Sequence, residues 1–220
     1  MPPRKSSTAP KAPASTRDHL LQTAITLFSA KGFDGISVND IVDRAGVNKR
    51  MVYHYFQSKA RLYQETLSFA YTGLGEFERN AIANETTLEG VVKRLIWVYF
   101  EFPRIHPEFT QLMLWENLNK GQGIRNSKAR LTKEVVVDHL AAAIAREADG
   151  VAWRKDLDPR LLLITIIGIC QVYASHRYTL SQGLHLDLGS EAEIKRGIAN
   201  AEHYILTGMR PVAPTRKRKG

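Results

Sequence analysis

At 220 residues the chain is long enough to bury its own core, as one substantial domain or a small domain joined to a medium one, without a metal or a disulfide. Hydrophobic residues make up 44% and charged residues 24%, an ordinary globular composition that excludes wholesale disorder. The net charge of +9 sits at the ends: residues 1–60 carry nine Lys/Arg against four Asp/Glu, residues 61–210 balance at eighteen each, and Arg216, Lys217, Arg218 and Lys219 supply the rest. An electropositive N-terminal module on a neutral body suggests a polyanionic partner for that module alone, against the simpler reading of solvated charge.

Residues 1–14, rich in Pro, Ser, Ala and Lys, cannot bury a core and are expected to form a flexible basic arm. No apolar stretch follows the arm's charges, so it lacks the form of a secretory signal. From there the chain reads as helical nearly throughout. Ser15-Thr16-Arg17-Asp18 has the form of a capping box, and Leu20, Leu21, Ala24, Leu27 and Phe28 recur at helical spacing until Lys31-Gly32 closes the first helix. Ser37 opens a second of about two turns, ended at Gly46. Asn48 caps a third, Lys49 to Phe56, and Ser58 caps a fourth that runs to about residue 82.

Thr86-Thr87-Leu88-Glu89 starts the next helix, expected to stop near Pro103, and Pro107 stands in the first turn of its successor. A break at Lys120-Gly121-Gln122-Gly123 precedes a long helix ending at Asp149-Gly150. Asp158-Pro159 opens the very apolar segment Leu161 to Gly183, and Ser190 caps the last helix, stopped at Gly208 with Pro211 beyond. No alternation typical of strands and no fixed repeat is present. The expected fold is all-α with about nine helices: a three-helix N-terminal domain (15–62), a larger helical domain (63–210) and a basic flexible tail (211–220). The longest apolar stretch, Leu161 to Cys170, is about half the length of a membrane span, and the lone Cys170 lies within it as a buried hydrophobe. Both features fit a reducing, cytoplasmic protein that spans no membrane.

The informative stretch is residues 37–63, SVNDIVDRAGVNKRMVYHYFQSKARLY. A short helix, a turn at Ala45-Gly46-Val47 and a second short helix, packed through Ile41, Ala45, Val47 and Val52, give the steep crossing of a helix-turn-helix. Such a unit presents its second helix to the DNA major groove. Lys49 and Arg50 stand at the start of that helix, where long donors reach base edges, while Tyr53 and His54, one turn later, suit phosphates. Lys59, just inside the following helix, adds its charge to free backbone N–H groups. Phe56 and Tyr55 read more simply as core aromatics.

This stretch closely resembles the TetR family of one-component regulators. The likeness is carried by Ser37, Ala45-Gly46-Val47, Val52-Tyr53-His54-Tyr55-Phe56 and Ser58-Lys59, and by Lys31-Gly32-Phe33 before them, so it covers about residues 15–65. It implies phosphate contacts from Ser37, Asn48, Tyr53, His54 and Lys59, and base contacts from Lys49, Arg50 and Tyr53. Many members have a small residue where Arg50 stands. In the body, His106-Pro107-Glu108-Phe109 and Leu114-Trp115-Glu116-Asn117 resemble the pyrimidine-utilisation regulator branch of the family.

Two other classes fit less well. An enzyme is disfavoured because the seven histidines show no i, i+4 pair and no HExxH, a single cysteine forms no CxxC, and Gly121-Gln122-Gly123 is not a phosphate loop. An architectural DNA protein would spread its charge along the chain and leave the neutral body without a task. The expectation is therefore a regulator that binds a near-palindromic double-stranded DNA operator as a homodimer, most often to repress, and that needs no cofactor. It would dimerise through its last two helices, where the segment from Leu161 to Tyr178 is apolar on nearly all sides. A small-molecule effector would bind in the body, with Trp97, Phe100, Phe109, Trp115 and Tyr173 as candidate cavity walls and His139, His176 and Arg177 as candidate polar contacts.

Overall fold

The computed structural model describes residues 15–125 and 133–211, so the arm at 1–14 and all but the first residue of the tail at 211–220 lie outside the described residues. Those described form eleven α-helices and no strand. The caps read from the sequence act as expected. Ser15 accepts the Asp18 N–H (3.2 Å), Asn48 accepts the Arg50 N–H (2.8 Å) and Ser190 accepts the Glu193 N–H (3.3 Å); of the pair Thr86-Thr87 it is Thr87 that caps, accepting the Gly90 N–H (3.1 Å). Each satisfies a backbone donor that has no partner within its helix.

The first four helices are α1 (Thr16–Lys31), α2 (Val38–Ala45), α3 (Lys49–Phe56) and α4 (Lys59–Ile82); α5 (Leu88–Ile105) and α6 (Pro107–Leu118) follow. Helix α5 carries Pro103 within it and runs two residues past the expected stop. After α6, Lys120 and Gly121 take left-handed backbone angles, and a single turn, α7 (Gln122–Arg125), comes before α8 (Glu134–Arg146). The expected helix from Leu161 to Gly183 is two helices, α9 (Pro159–Ser175) and α10 (Arg177–Leu184), bent by 76°. The bend falls at the polar run Ser175-His176-Arg177, where His176 leaves helical geometry and its N–H closes α9 on the Val172 carbonyl. The last helix is α11 (Glu191–Gly208). These two divisions, α7 from α8 and α9 from α10, turn the expected nine helices into eleven. No single helix among the described residues is long and apolar enough to cross a membrane.

Two compact units result. The first joins residues 15–69 to 115–125, and the second joins 70–114 to 133–211. In the first, α1, α2 and α3 pack on one another around Leu20, Ala24, Phe28, Ile41, Val52 and Phe56. In the second, α5 is the central element, packed on α8, α9 and α11, with Leu95, Tyr99, Leu140 and Ile166 fully buried. Burial of side chains of this size contributes roughly 1.5–3 kcal/mol each.

Candidate nucleic-acid interface

Helices α2 and α3 are joined by Gly46, whose φ of 65° and ψ of 32° place it in the left-handed region. A Cβ there would touch nothing within 4 Å, so glycine is required by backbone angle rather than by close packing. Val52 and Phe56 turn inward to the core. Asn48, Lys49, Arg50, Tyr53 and His54 are all exposed, Tyr53 at 48% of its surface. Tyr55 is half-buried, in edge contact with Phe56.

Lys49 and Tyr53 of α3, Lys59 of α4 and Ser37 and Asn39 at the start of α2 line one open depression. The Lys59 ammonium stands over the Phe33 ring, 4.1 Å from its centroid, a contact that steadies a long side chain. Ser37 is the most committed of the group. Its hydroxyl and its N–H both donate to Asp40 Oδ2 at 2.7 Å, and its oxygen accepts the Asp40 N–H at 3.1 Å. These bonds, the hydroxyl's first, hold the Asp40 carboxyl below its ordinary pKa. Asn48 spends only its carbonyl oxygen on the α3 cap, which leaves its amide N–H2 to donate outward. Asn39 was missed in the sequence; its only signal there was its place two residues into a capped helix.

In the second unit, a cavity of about 200 Å3 is walled by Phe100 and Tyr173, whose ring centroids are 4.9 Å apart, with Arg177 at its edge. Tyr99, Cys170 and Tyr178 also line it, and of these Tyr99 and Cys170 were not singled out for the cavity by the sequence. The Arg177 guanidinium lies against Gly189, where any Cβ would collide with it. Tyr99 donates to the buried carboxylate of Glu78 at 2.7 Å, and Lys133 closes on the same oxygen. Burial, with Glu78 beside it, pushes the Tyr99 phenol well up. Burial alone pushes the Cys170 thiol up to about 12.

The other five candidate cavity residues lie outside this lining. Trp97 stacks on Phe77 at 5.3 Å, and Phe109 is buried against Tyr71 and Phe102. Trp115 belongs to the first unit, where its indole N–H donates to the Ser29 carbonyl at 3.1 Å and its ring covers Gly32. His139 Nε2 lies 3.3 Å from the Glu85 carbonyl oxygen, and His176 Nδ1 lies 2.8 Å from the Ser175 hydroxyl. Four of the five have gone to packing or to a backbone partner, and the fifth, His176, to its neighbouring hydroxyl.

A basic, solvent-facing second helix set across a capped first helix defines a helix-turn-helix DNA-binding protein. The chain belongs to the tetR family of bacterial regulatory proteins. Residues 20–66 match the domain described as "Bacterial regulatory proteins, tetR family", and residues 89–201 match "Tetracyclin repressor-like, C-terminal domain". It is a DNA-binding transcriptional regulator. Over 212 residues it is 29% identical to the HTH-type transcriptional repressor NicS of Pseudomonas putida, covering 96% of this chain and 100% of that one. It is 24% identical over 206 residues to the HTH-type transcriptional regulator RutR of Escherichia coli K12, covering 91% and 93%. In fold it is similar to the TetR family transcriptional regulator PfmR of Thermus thermophilus, with a TM-score of 0.61 and 21% identity over 91% of this chain and 98% of that one.

Proposed function

We propose that this protein is a ligand-responsive repressor that binds a near-palindromic operator as a homodimer. The observation that carries the reading is the exposed face of α3, where Lys49, Arg50, Tyr53 and His54 all face solvent while Val52 and Phe56 anchor the helix. Lys49 and Arg50 read base edges from the first turn; Asn48, Tyr53, His54 and Lys59 hold phosphates. Ser37 acts chiefly by capping α2, since Asp40 already takes both of its donors. DNA reading belongs to the first unit, residues 15–69 with 115–125, and effector binding to the second.

Dimerisation through α9 and α11 is supported by an unpartnered stripe. Leu161, Ile164, Thr165, Gly168 and Val172 recur at helical spacing on the exposed side of α9, and Tyr204 is exposed on α11. A second copy turning the same stripe inward would remove it from water. The effector is a small molecule in the cavity of the second unit, with a flat apolar part against Phe100 and Tyr173 and an acceptor group toward Arg177. It releases DNA by favouring a spacing of the two reading helices that no longer fits both half-sites, which requires tighter binding to that state. The protein acts in the cytoplasm and has no catalytic activity of its own.

The test is a set of titrations of Lys49→Ala, Arg50→Ala and Lys59→Ala against operator, single-base variants and random DNA at several salt concentrations. Lys49→Ala and Arg50→Ala are expected to cost about 1–3 kcal/mol on the best site and to relax base choice at one or two positions. Lys59→Ala is expected to weaken all sequences alike and make the salt slope shallower by about one unit. A changed base preference in Lys59→Ala alone, with both others unaltered, would refute these roles.

A further inference from the structure

A second cavity lies within the first unit. It has a volume of about 250 Å3 and is lined by Phe33 and Asp34 after α1, Tyr63 and Gln64 of α4, Glu116 of α6 and Gly123 of α7, among others. Gly123 comes close enough that a Cβ would meet Glu116 Oε1 and the Tyr63 ring at 2.7 Å, so α7 is pressed onto both. The volume is far above the roughly 30 Å3 of one water and below the roughly 300–1,000 Å3 of sites for drug-sized ligands. A small organic molecule is the occupant that matches it.

Two groups in the wall lack the same thing. Glu116 is 1% exposed, yet among the described residues its oxygens accept only from neutral donors, the Tyr63 hydroxyl at 2.8 Å and the Ile124 N–H at 2.9 Å. It takes part in no ion pair among the described residues. The other deeply buried carboxylate, Glu78, at 2% exposure, has both a phenol and the ammonium of Lys133. Removing a carboxylate from water is costly unless a counter-charge meets it, so Glu116 is half-served where Glu78 is fully served. In the same lining, Gln64 Oε1 is buried with no hydrogen-bond partner among the described residues. An unmet charge and an unmet acceptor both call for N–H donors on a cation.

The remaining walls agree. Phe33 and Tyr63 stand 5.2 Å apart with their planes at 50°, giving apolar and π surface to the stem and head of such a molecule. The approach of the Lys59 ammonium to Phe33 shows that this ring already draws a cation. Asp34, exposed at the rim, adds a further negative charge.

We propose that this cavity is a binding site for a small organic cation bearing a primary ammonium or amidinium group. The N–H groups donate to Glu116 and to Gln64 Oε1, and the stem lies against Tyr63 and Phe33. The site is independent of the effector cavity in the second unit. Its occupant joins the end of α1, α4 and the α6–α7 turn within the DNA-binding unit itself.

The experiment is thermal unfolding of the full-length protein titrated with butane-1,4-diammonium and 1-butylammonium chlorides, against 1-butanol and against sodium chloride at matched ionic strength. A saturable rise of about 5–10 °C is expected at a hundredfold excess of amine over its Kd, and no such rise with butanol or salt. Glu116→Gln keeps an acceptor for Tyr63 and removes the charge; its amine-dependent rise is expected to vanish, while its melting temperature without amine stays at or above the wild-type value. Gln64→Leu and Asp34→Asn are expected to raise the Kd without changing the fold by circular dichroism. The proposal is overturned if neither amine gives a saturable rise, if salt gives the same rise, or if Glu116→Gln retains it. Should Glu116→Gln not fold, an undiminished affinity in Gln64→Leu overturns it equally.

Discussion

Lys49 and Arg50 are exposed at the first turn of α3, whereas Cys170, the lone cysteine, is buried on α9 with its thiol pushed up to about 12. At pH 8 a thiol of that kind is ionised in only about one molecule in ten thousand, and the thiolate is the reactive form. Labelling of the native protein by a thiol reagent at pH 8 is therefore expected to be at least a hundredfold slower than labelling in denaturant. Rapid native labelling would show that Cys170 is neither buried nor raised. Gly32 gives a second residue-level test. Its φ is 71°, and an added Cβ would meet the Trp115 ring at 2.8 Å, so both backbone and packing reject a side chain. Gly32→Ala is expected to destabilise the protein by about 1–3 kcal/mol, read as a lower urea midpoint at unchanged slope.

Among the elements, α9 depends most visibly on its first turn. The Asp158 carboxylate accepts the Arg160 N–H at 2.7 Å and the Leu161 N–H at 3.0 Å, and these backbone bonds hold its pKa below the ordinary 3.8. A carboxyl whose folded pKa is lowered stabilises the fold above its unfolded value, and that contribution is lost as pH falls through the folded value. Asp158→Ala is thus expected to lower the urea midpoint at pH 7, with the gap to wild type narrowing only below pH 3.8. A gap that persisted undiminished in strong acid would remove the charge from the explanation. The same element carries buried and exposed positions side by side: Ile166 is 0% exposed in a single chain, while Leu161 and Ile164 are 65% and 64% exposed. The sequence, reading the segment as apolar all round, could not separate them.

For the whole molecule, that separation yields the test of self-association. Ile164→Glu is expected to give a folded monomer by light scattering and circular dichroism, because it alters only the proposed interface. Ile166→Glu buries a charge without a partner at a cost of several kcal/mol, comparable to a folding margin of about 5–15 kcal/mol, and is expected to unfold the chain. A dimer that survives Ile164→Glu and Leu161→Glu together places the interface elsewhere. The separation of charge between basic ends and neutral body has a counterpart in binding: operator affinity is expected to fall steeply between 50 and 200 mM salt, by about 10³-fold or more for six or more phosphate contacts. Affinity unchanged over that range would remove phosphate contact from the explanation.

Most helix starts, their caps and the exposed face of α3 were legible in the sequence because each depends on neighbours within a few residues. Asn48 before Lys49, Gly46 after Ala45 and the spacing of Val52 and Phe56 act locally, and α1, α2, α3 and α11 follow the bounds that the caps gave. Which polar and aromatic side chains meet across the chain was not legible, because that depends on the packing of segments far apart. Trp115 was read as a cavity wall and instead lies against Gly32, 83 positions earlier in the chain. His139 found a backbone carbonyl 54 residues away, and Glu116, read only as part of a branch motif, became a buried carboxylate served by Tyr63, 53 residues away. Periodicity fixes which face of a helix is apolar; only the tertiary packing decides what that face meets, and so which buried charges are left for a ligand.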